Sequence, residues 1–190
     1  MTIELPAATQ PPEPLRDVAT QVMAQLDDTR RWLEELVRIP SISASADHVE
    51  DVRASARRTA ELLALAGLED VELLELDDVH PYVTGSWLHA GEDAPTVLLY
   101  AHHDVQPVGP STRWISPPFE PTERDGRLYG RGAADDKAGI LAHIAAIRAW
   151  LTTRGSLPVN VKVIIEGEEE LGSPNLEAFL ERYEEQLRAD

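Results

Sequence analysis

The 190-residue chain carries 17 basic against 34 acidic residues, a net charge of −17, and no cysteine. Such a surface repels phosphate backbones and anionic bilayers, so no nucleic-acid or membrane partner is expected. Without cysteine, disulfides and thiolate ligands are excluded, and any metal must be held by histidines and carboxylates.

An apolar fraction of 43% suffices for a real core. No apolar run approaches membrane-spanning length. The first fifteen residues, MTIELPAATQPPEPL, lack the basic start and apolar stretch of a signal peptide, and 1–15 reads as a Pro-rich, poorly ordered tail. These features together favour a cytoplasmic protein, and that location is expected.

In chain order, residues 17–38 predict a helix with an apolar stripe that includes Val18, Val22, Leu26, Leu33 and Leu36, ended by Pro40. Residues 40–46, PSISASA, form a loop. A second helix runs from Asp47, placed as its N-cap, to Gly67. Strands are expected over 71–76 and 82–88, and a turn over 91–95.

The segment 96–105, TVLLYAHHDV, opens with an apolar, β-prone run that predicts a buried strand with His102, His103 and Asp104 at its end. Prolines then punctuate the chain until a hairpin at 122–129 about Asp125-Gly126. A helix is expected over 137–151, a strand over 159–165, and a last helix over 174–188 with Ser173 as N-cap. Strands alternating with helices argue for an α/β sandwich whose sheet is at least partly parallel, with functional groups at the strands' C-terminal ends.

Three polar clusters leave these elements: His102 with Asp104, Asp135 with Asp136, and Glu168 to Glu170. Along an extended strand His102 and Asp104 share a face and His103 points away, so Asp104 can hold the second ring nitrogen of a ligating His102. One histidine with several carboxylates suits Zn²⁺, Mn²⁺ or Co²⁺, and gathered carboxylates repel without a cation.

Each cluster also has a plain structural reading. Asp135 can cap the following helix, and 168–170 can be a solvated acidic loop. His103 reads as a packing or substrate-side residue, and His48, His80, His89 and His143 as ordinary histidines.

YAHHDVQP, GRLYGRGAADDKAG and VNVKVIIEGEEELGS, in this order, resemble the amino-terminal motifs of the dinuclear zinc metallopeptidases. That family includes carnosinase-type dipeptidases, glutamate carboxypeptidases, aminoacylases and succinyl-diaminopimelate desuccinylase. DVQP, DDK and EGEEELGS look most like the dipeptidase branch. The resemblance implies a zinc-peptidase-like three-layer sandwich with a mixed, partly parallel sheet flanked by helices, incomplete at its C-terminus. Residues 16–190 would be the amino-terminal part of the catalytic domain, without the lid and dimerisation domain.

It also implies roles. His102, Asp135 and Glu170 would be metal ligands, with Asp135 shared between two ions, Zn²⁺ first and Mn²⁺ or Co²⁺ as alternatives. Asp104 would orient His102, and Glu169 would be the general base that passes a proton to the leaving amine. Asp136 and Lys137 would support the turn, and Glu168 would be a bystander.

The reaction would be hydrolysis of an amide bond in a small peptide or N-acyl amino acid, by a parent that forms a homodimer. Deacylase or carboxypeptidase activity, or a truncated non-catalytic module, are the alternatives. Because the remaining ligands are expected beyond residue 190, the isolated chain is expected to be inactive and to expose a sheet edge.

Overall fold

The computed structural model describes residues 12–77 and 79–190. Of the expected tail, residues 1–11 lie outside the described residues; Glu13–Leu15 form a 3₁₀ turn that leads into the first helix.

The helices are α1 (Arg16–Ala24), α2 (Leu26–Val37), α3 (Val49–Ala66), α4 (Lys137–Arg154), α5 (Leu176–Arg182) and α6 (Glu184–Leu187). The strands are β1 (Glu69–Leu74), β2 (Tyr82–Trp87), β3 (Thr96–His102), β4 (Thr122–Arg124), β5 (Arg127–Tyr129) and β6 (Asn160–Glu166). Among the described residues no helix is long and apolar enough to cross a membrane.

The main sheet has the order β1-β2-β6-β3, with β1, β2 and β6 mutually antiparallel at each junction and β3 parallel to β6. Side chains alternate across it. Val83, Val163 and Ile165 face a large core built with Trp32 and Leu36 of α2, Leu62 and Leu63 of α3, and Ile140 and Ile144 of α4. Tyr82 and Ile164 face the other way, onto Phe179 of α5 and Leu187 of α6. The Tyr82 and Phe179 rings stack at 3.8 Å. Helices on both faces of a mixed sheet make this the three-layer sandwich the motifs imply.

Several expectations are corrected. The helix expected over 17–38 is broken at Gln25, whose φ and ψ of −98° and 3° leave the helical region; both halves pack on α4. Asp47 caps nothing: a 3₁₀ turn, Ala46–His48, precedes α3, and the Asp51 carboxylate holds His48 Nδ1 at 2.7 Å. The helix expected over 174–188 breaks at Tyr183, which tilts its ring onto Phe179 so that Phe179 and Leu187 reach the same cluster. Ser173, expected as its N-cap, sits at φ +51° and donates its hydroxyl to Glu166 Oε2 instead.

β3 is not the buried strand its apolar run predicts. It lies at the sheet edge, with Val97 and Tyr100 exposed and only Ala101 and His102 buried. The Asp190 amide reaches across to the Thr96 carbonyl on this outer edge, at 3.0 Å. The hairpin about Asp125-Gly126 forms as expected, with β4 and β5 antiparallel and both turn residues at positive φ.

Candidate metal centre

Parallel pairing sets β3 and β6 side by side and in register, with His102 opposite Glu166. Their C-terminal ends therefore discharge their polar residues into one place, as open α/β sheets do. The ladder runs one step further, through a bond from the His103 amide to the Glu166 carbonyl at 2.8 Å.

The chain then turns tightly at Gly167. A Cβ there would meet the Pro81 carbonyl at 2.5 Å and the His103 ring at 3.0 Å, so the position accepts no side chain. His103 itself is buried and donates from Nε2 to the Pro81 carbonyl at 2.9 Å. Burial pushes its pKa down to about 4. It packs in the interior, on the face away from His102.

His102 is held from both sides. Its Nδ1 lies 3.2 Å from the Asp104 carbonyl and 3.3 Å from Asp104 Oδ1, and its Nε2 lies 3.1 Å from Asp135 Oδ1 and 3.6 Å from Glu169 Oε2. Burial alone would lower the imidazole's pKa, but Asp104, Glu169 and Asp135 outweigh it and raise it to about 9. Donor atoms of His102, Asp135 and Glu170 all lie within 4.8 Å of one another. The three ligands expected from the motifs thus meet at one point, and a histidine with two carboxylates is a donor set suited to borderline-hard divalent cations.

Asp104 contacts more than the histidine. Fully buried, it accepts hydrogen bonds from the Ser43 hydroxyl at 2.6 Å, the Glu169 amide at 3.2 Å and the Glu170 amide at 3.1 Å. Burial opposes its ionisation, yet the His102 and Ser43 contacts prevail and hold its pKa below the usual carboxylate range. One carboxylate therefore ties the tip of β3 to the loop that carries Glu169 and Glu170.

Asp135 does not cap α4. Asp136 stands at the cap position, makes no side-chain cap bond, and receives the His102 amide at 3.3 Å. The Asp135–Asp136 peptide is cis. Lys137 is buried, donates to the Leu36 and Ile39 carbonyls at 2.8 Å each, and is pushed by burial down to about 7. It fastens the start of α4 to the end of α2.

Four contributors escaped the sequence reading. Ser43 was a loop residue 61 positions from Asp104. Gln106 donates Nε2 to both the carbonyl and Oε2 of Glu170 at 2.9 Å. Glu166 is buried beneath the acidic loop, where its Oε2 accepts from Tyr100 at 2.7 Å and Ser173 at 3.1 Å, and burial raises its pKa. Glu168, read as a bystander, is buried and accepts from Asn175 at 2.8 Å. Only strand alternation, which puts Tyr100 and Glu166 on the face of Ile164, could have flagged any of them.

A parallel strand pair, a mixed sheet between helices, and a histidine–carboxylate centre at the strand tips define a metallopeptidase-type α/β domain. Residues 98–190 match the model of peptidase family M20/M25/M40.

The chain is 35% identical to a Beta-Ala-His dipeptidase of Mus musculus, over 82% of the chain and 34% of that protein. Human carnosine dipeptidase 1 superposes with a TM-score of 0.82 at 33% identity, over 93% of this chain and 39% of that one. The M20 metallo-carboxypeptidase Sso-CP2 of Sulfolobus solfataricus gives 0.74 at 36%, over 86% and 36%. The chain thus spans little more than a third of the length of these relatives.

Proposed function

We propose that the protein containing these 190 residues is a metal-dependent dipeptidase that hydrolyses the amide bond of small peptides. The observation that carries the reading is the convergence of His102, Asp135 and Glu170, with the Glu169 carboxylate beside them. The similarity to a Beta-Ala-His dipeptidase supports the substrate class. Similarity to a metallo-carboxypeptidase keeps a second reading, removal of a carboxy-terminal residue, in view.

The donor set would hold two divalent ions, Zn²⁺ before Mn²⁺ or Co²⁺, with His102 serving one, Glu170 the other and Asp135 both. Bound there, the ions would supply Lewis-acid polarisation of the scissile carbonyl and acidification of water. Glu169 takes the water's proton at its carboxylate and delivers it to the leaving amine nitrogen. Asp104 fixes the ring of His102 and, through the Glu169 and Glu170 amides, the position of the base relative to that ring.

A cysteine-free chain fits a reducing cytoplasm, and the family resemblance supports a homodimer. The test is amine release from β-alanyl-histidine, a panel of α-dipeptides, N-acyl amino acids and longer peptides, with Zn²⁺, Mn²⁺ or Co²⁺ added and a chelator control. Dipeptide turnover that the chelator abolishes is expected. Turnover confined to N-acyl amino acids or to the ends of longer peptides, or turnover indifferent to chelator, would overturn the dipeptidase reading.

A further inference from the structure

The loop 167–173 carries both Glu169 and Glu170, and buried carboxylates hold it at two places. At its middle, the Glu169 and Glu170 amides bond Asp104. At its far end, the Ser173 hydroxyl donates to Glu166 Oε2 at 3.1 Å, which closes the loop into a ring on the last residue of β6. The same oxygen accepts from the Tyr100 hydroxyl of β3 at 2.7 Å. One atom thus joins β6, β3 and the end of the loop.

The ring is tightly made. The Leu171 and Ser173 amides donate to the Glu168 carbonyl at 3.1 and 3.3 Å, and the Gly172 amide to the Glu169 carbonyl at 2.7 Å. Ser173 closes the turn at φ +51°, a conformation that a residue with a side chain keeps only when its surroundings hold it. The bond from its hydroxyl to Glu166 is a contact that does so.

Glu166 is an odd residue to bury. It is fully enclosed, and among the described residues its Oε1 has no hydrogen-bond partner. Burial raises its pKa, the Tyr100 and Ser173 bonds oppose the rise, and the nearby Asp104 and Glu168 charges add to it. Stability does not explain an acid that spends one oxygen in so unfavourable a place, because an apolar side chain of similar volume costs less to bury.

We propose that Glu166 is a positioning residue for the candidate centre: its Oε2, acting through Ser173 and Tyr100, fixes where the loop presents Glu169 and Glu170 to His102. The geometry to be held is close, with Glu169 Oε2 3.6 Å from His102 Nε2 and a Glu170 oxygen within 4.8 Å of a His102 ring nitrogen. A misplacement of about 1 Å is enough to spoil such an arrangement. What Glu169 and Glu170 do rests on the peptidase reading; how their loop is held does not.

The test is amide hydrogen exchange in the full ¹⁵N-labelled chain without metal, together with the His102 ring resonances at one fixed pH. Tyr100→Phe and Ser173→Ala are each expected to speed exchange of the Glu169 and Glu170 amides about five- to tenfold. Both should shift the His102 ring signals and leave the Val163 and Ile165 amides of β6 unchanged. Glu166→Met should act in the same way. Glu166→Gln keeps an acceptor oxygen in place and turns its amide toward the Asp104 and Glu168 charges, so it should restore the parent's rates and ring signals.

Unchanged exchange at Glu169 and Glu170 in both Tyr100→Phe and Ser173→Ala would overturn the proposal. Equal acceleration throughout β6 would do the same, since the network would then stabilise the fold without placing the loop, as would a Glu166→Gln that behaves like Glu166→Met. Because no metal and no turnover enter the measurement, its failure is separate from failure of the peptidase reading.

Discussion

The two sides of the candidate centre are built differently. On the β3 side, His102 and Asp104 are buried, and both carboxylate oxygens of Asp104 are committed to neighbours. On the other side, the Asp135 side chain is 76% exposed and that of Glu169 41% exposed, and each carboxylate approaches His102 Nε2. The fold thus fixes one half in advance and leaves the other half's carboxylates free to answer a cation or a proton. A buried, fully bonded group resists change through stability, while an exposed one registers change only through chemistry.

The largest effect should come from the exposed side. Glu169→Gln is expected to lower kcat of the active protein by about 10²–10⁴, with metal content by elemental analysis unchanged. Near-normal turnover would remove Glu169 as the base.

On the buried side, Asp104→Asn should cost both functions at once. Metal affinity should fall about 10–100-fold by calorimetry, and stability by about 2–4 kcal/mol in denaturant unfolding, because an amide cannot accept from all its present donors. A stable variant with weakened metal would mean that the carboxylate orients the ligand without holding the loop.

Acidity separates the halves further. The metal-free His102 has a raised pKa of about 9, so below that pH its imidazole carries a proton that a cation must displace. Affinity should therefore rise with pH, by about tenfold per unit, and level off above about 9. A flat profile between pH 6 and 8 by competition titration would show that His102 is not a ligand. The smallest effect on stability belongs to Asp135→Asn, expected to leave the metal-free protein within about 0.5 kcal/mol of its parent while metal binding is lost. A large stability loss would show that Asp135 is structural after all.

The strand tips and the acidic loop were readable because each is a local pattern: an apolar run of period two or a β-branched run, ended by chemistry-bearing residues. His102, Asp135 and Glu170, singled out from three motifs, are therefore brought within 4.8 Å of one another by the fold. The breaks at Gln25 and Tyr183 were not readable, since each helix segment carries its own apolar stripe and only packing on α4 or in the Phe179 cluster separates them. The exposure of β3 was misjudged for a related reason. An apolar run reports tolerance of burial, not whether a neighbour is present to bury it.

By itself, then, the sequence determined which residue types stand at the ends of which elements, because backbone preference and side-chain period act over a few residues. Tertiary structure alone decided that Asp104 bonds Ser43 and the Glu169 and Glu170 amides, across 61 to 66 positions of chain. It alone also gathered Arg113, Trp114 and Arg131 around one cavity in an acidic molecule. Such contacts follow from the parallel register of β3 on β6 and from how the loops close over it, and no local preference encodes a distance between remote residues.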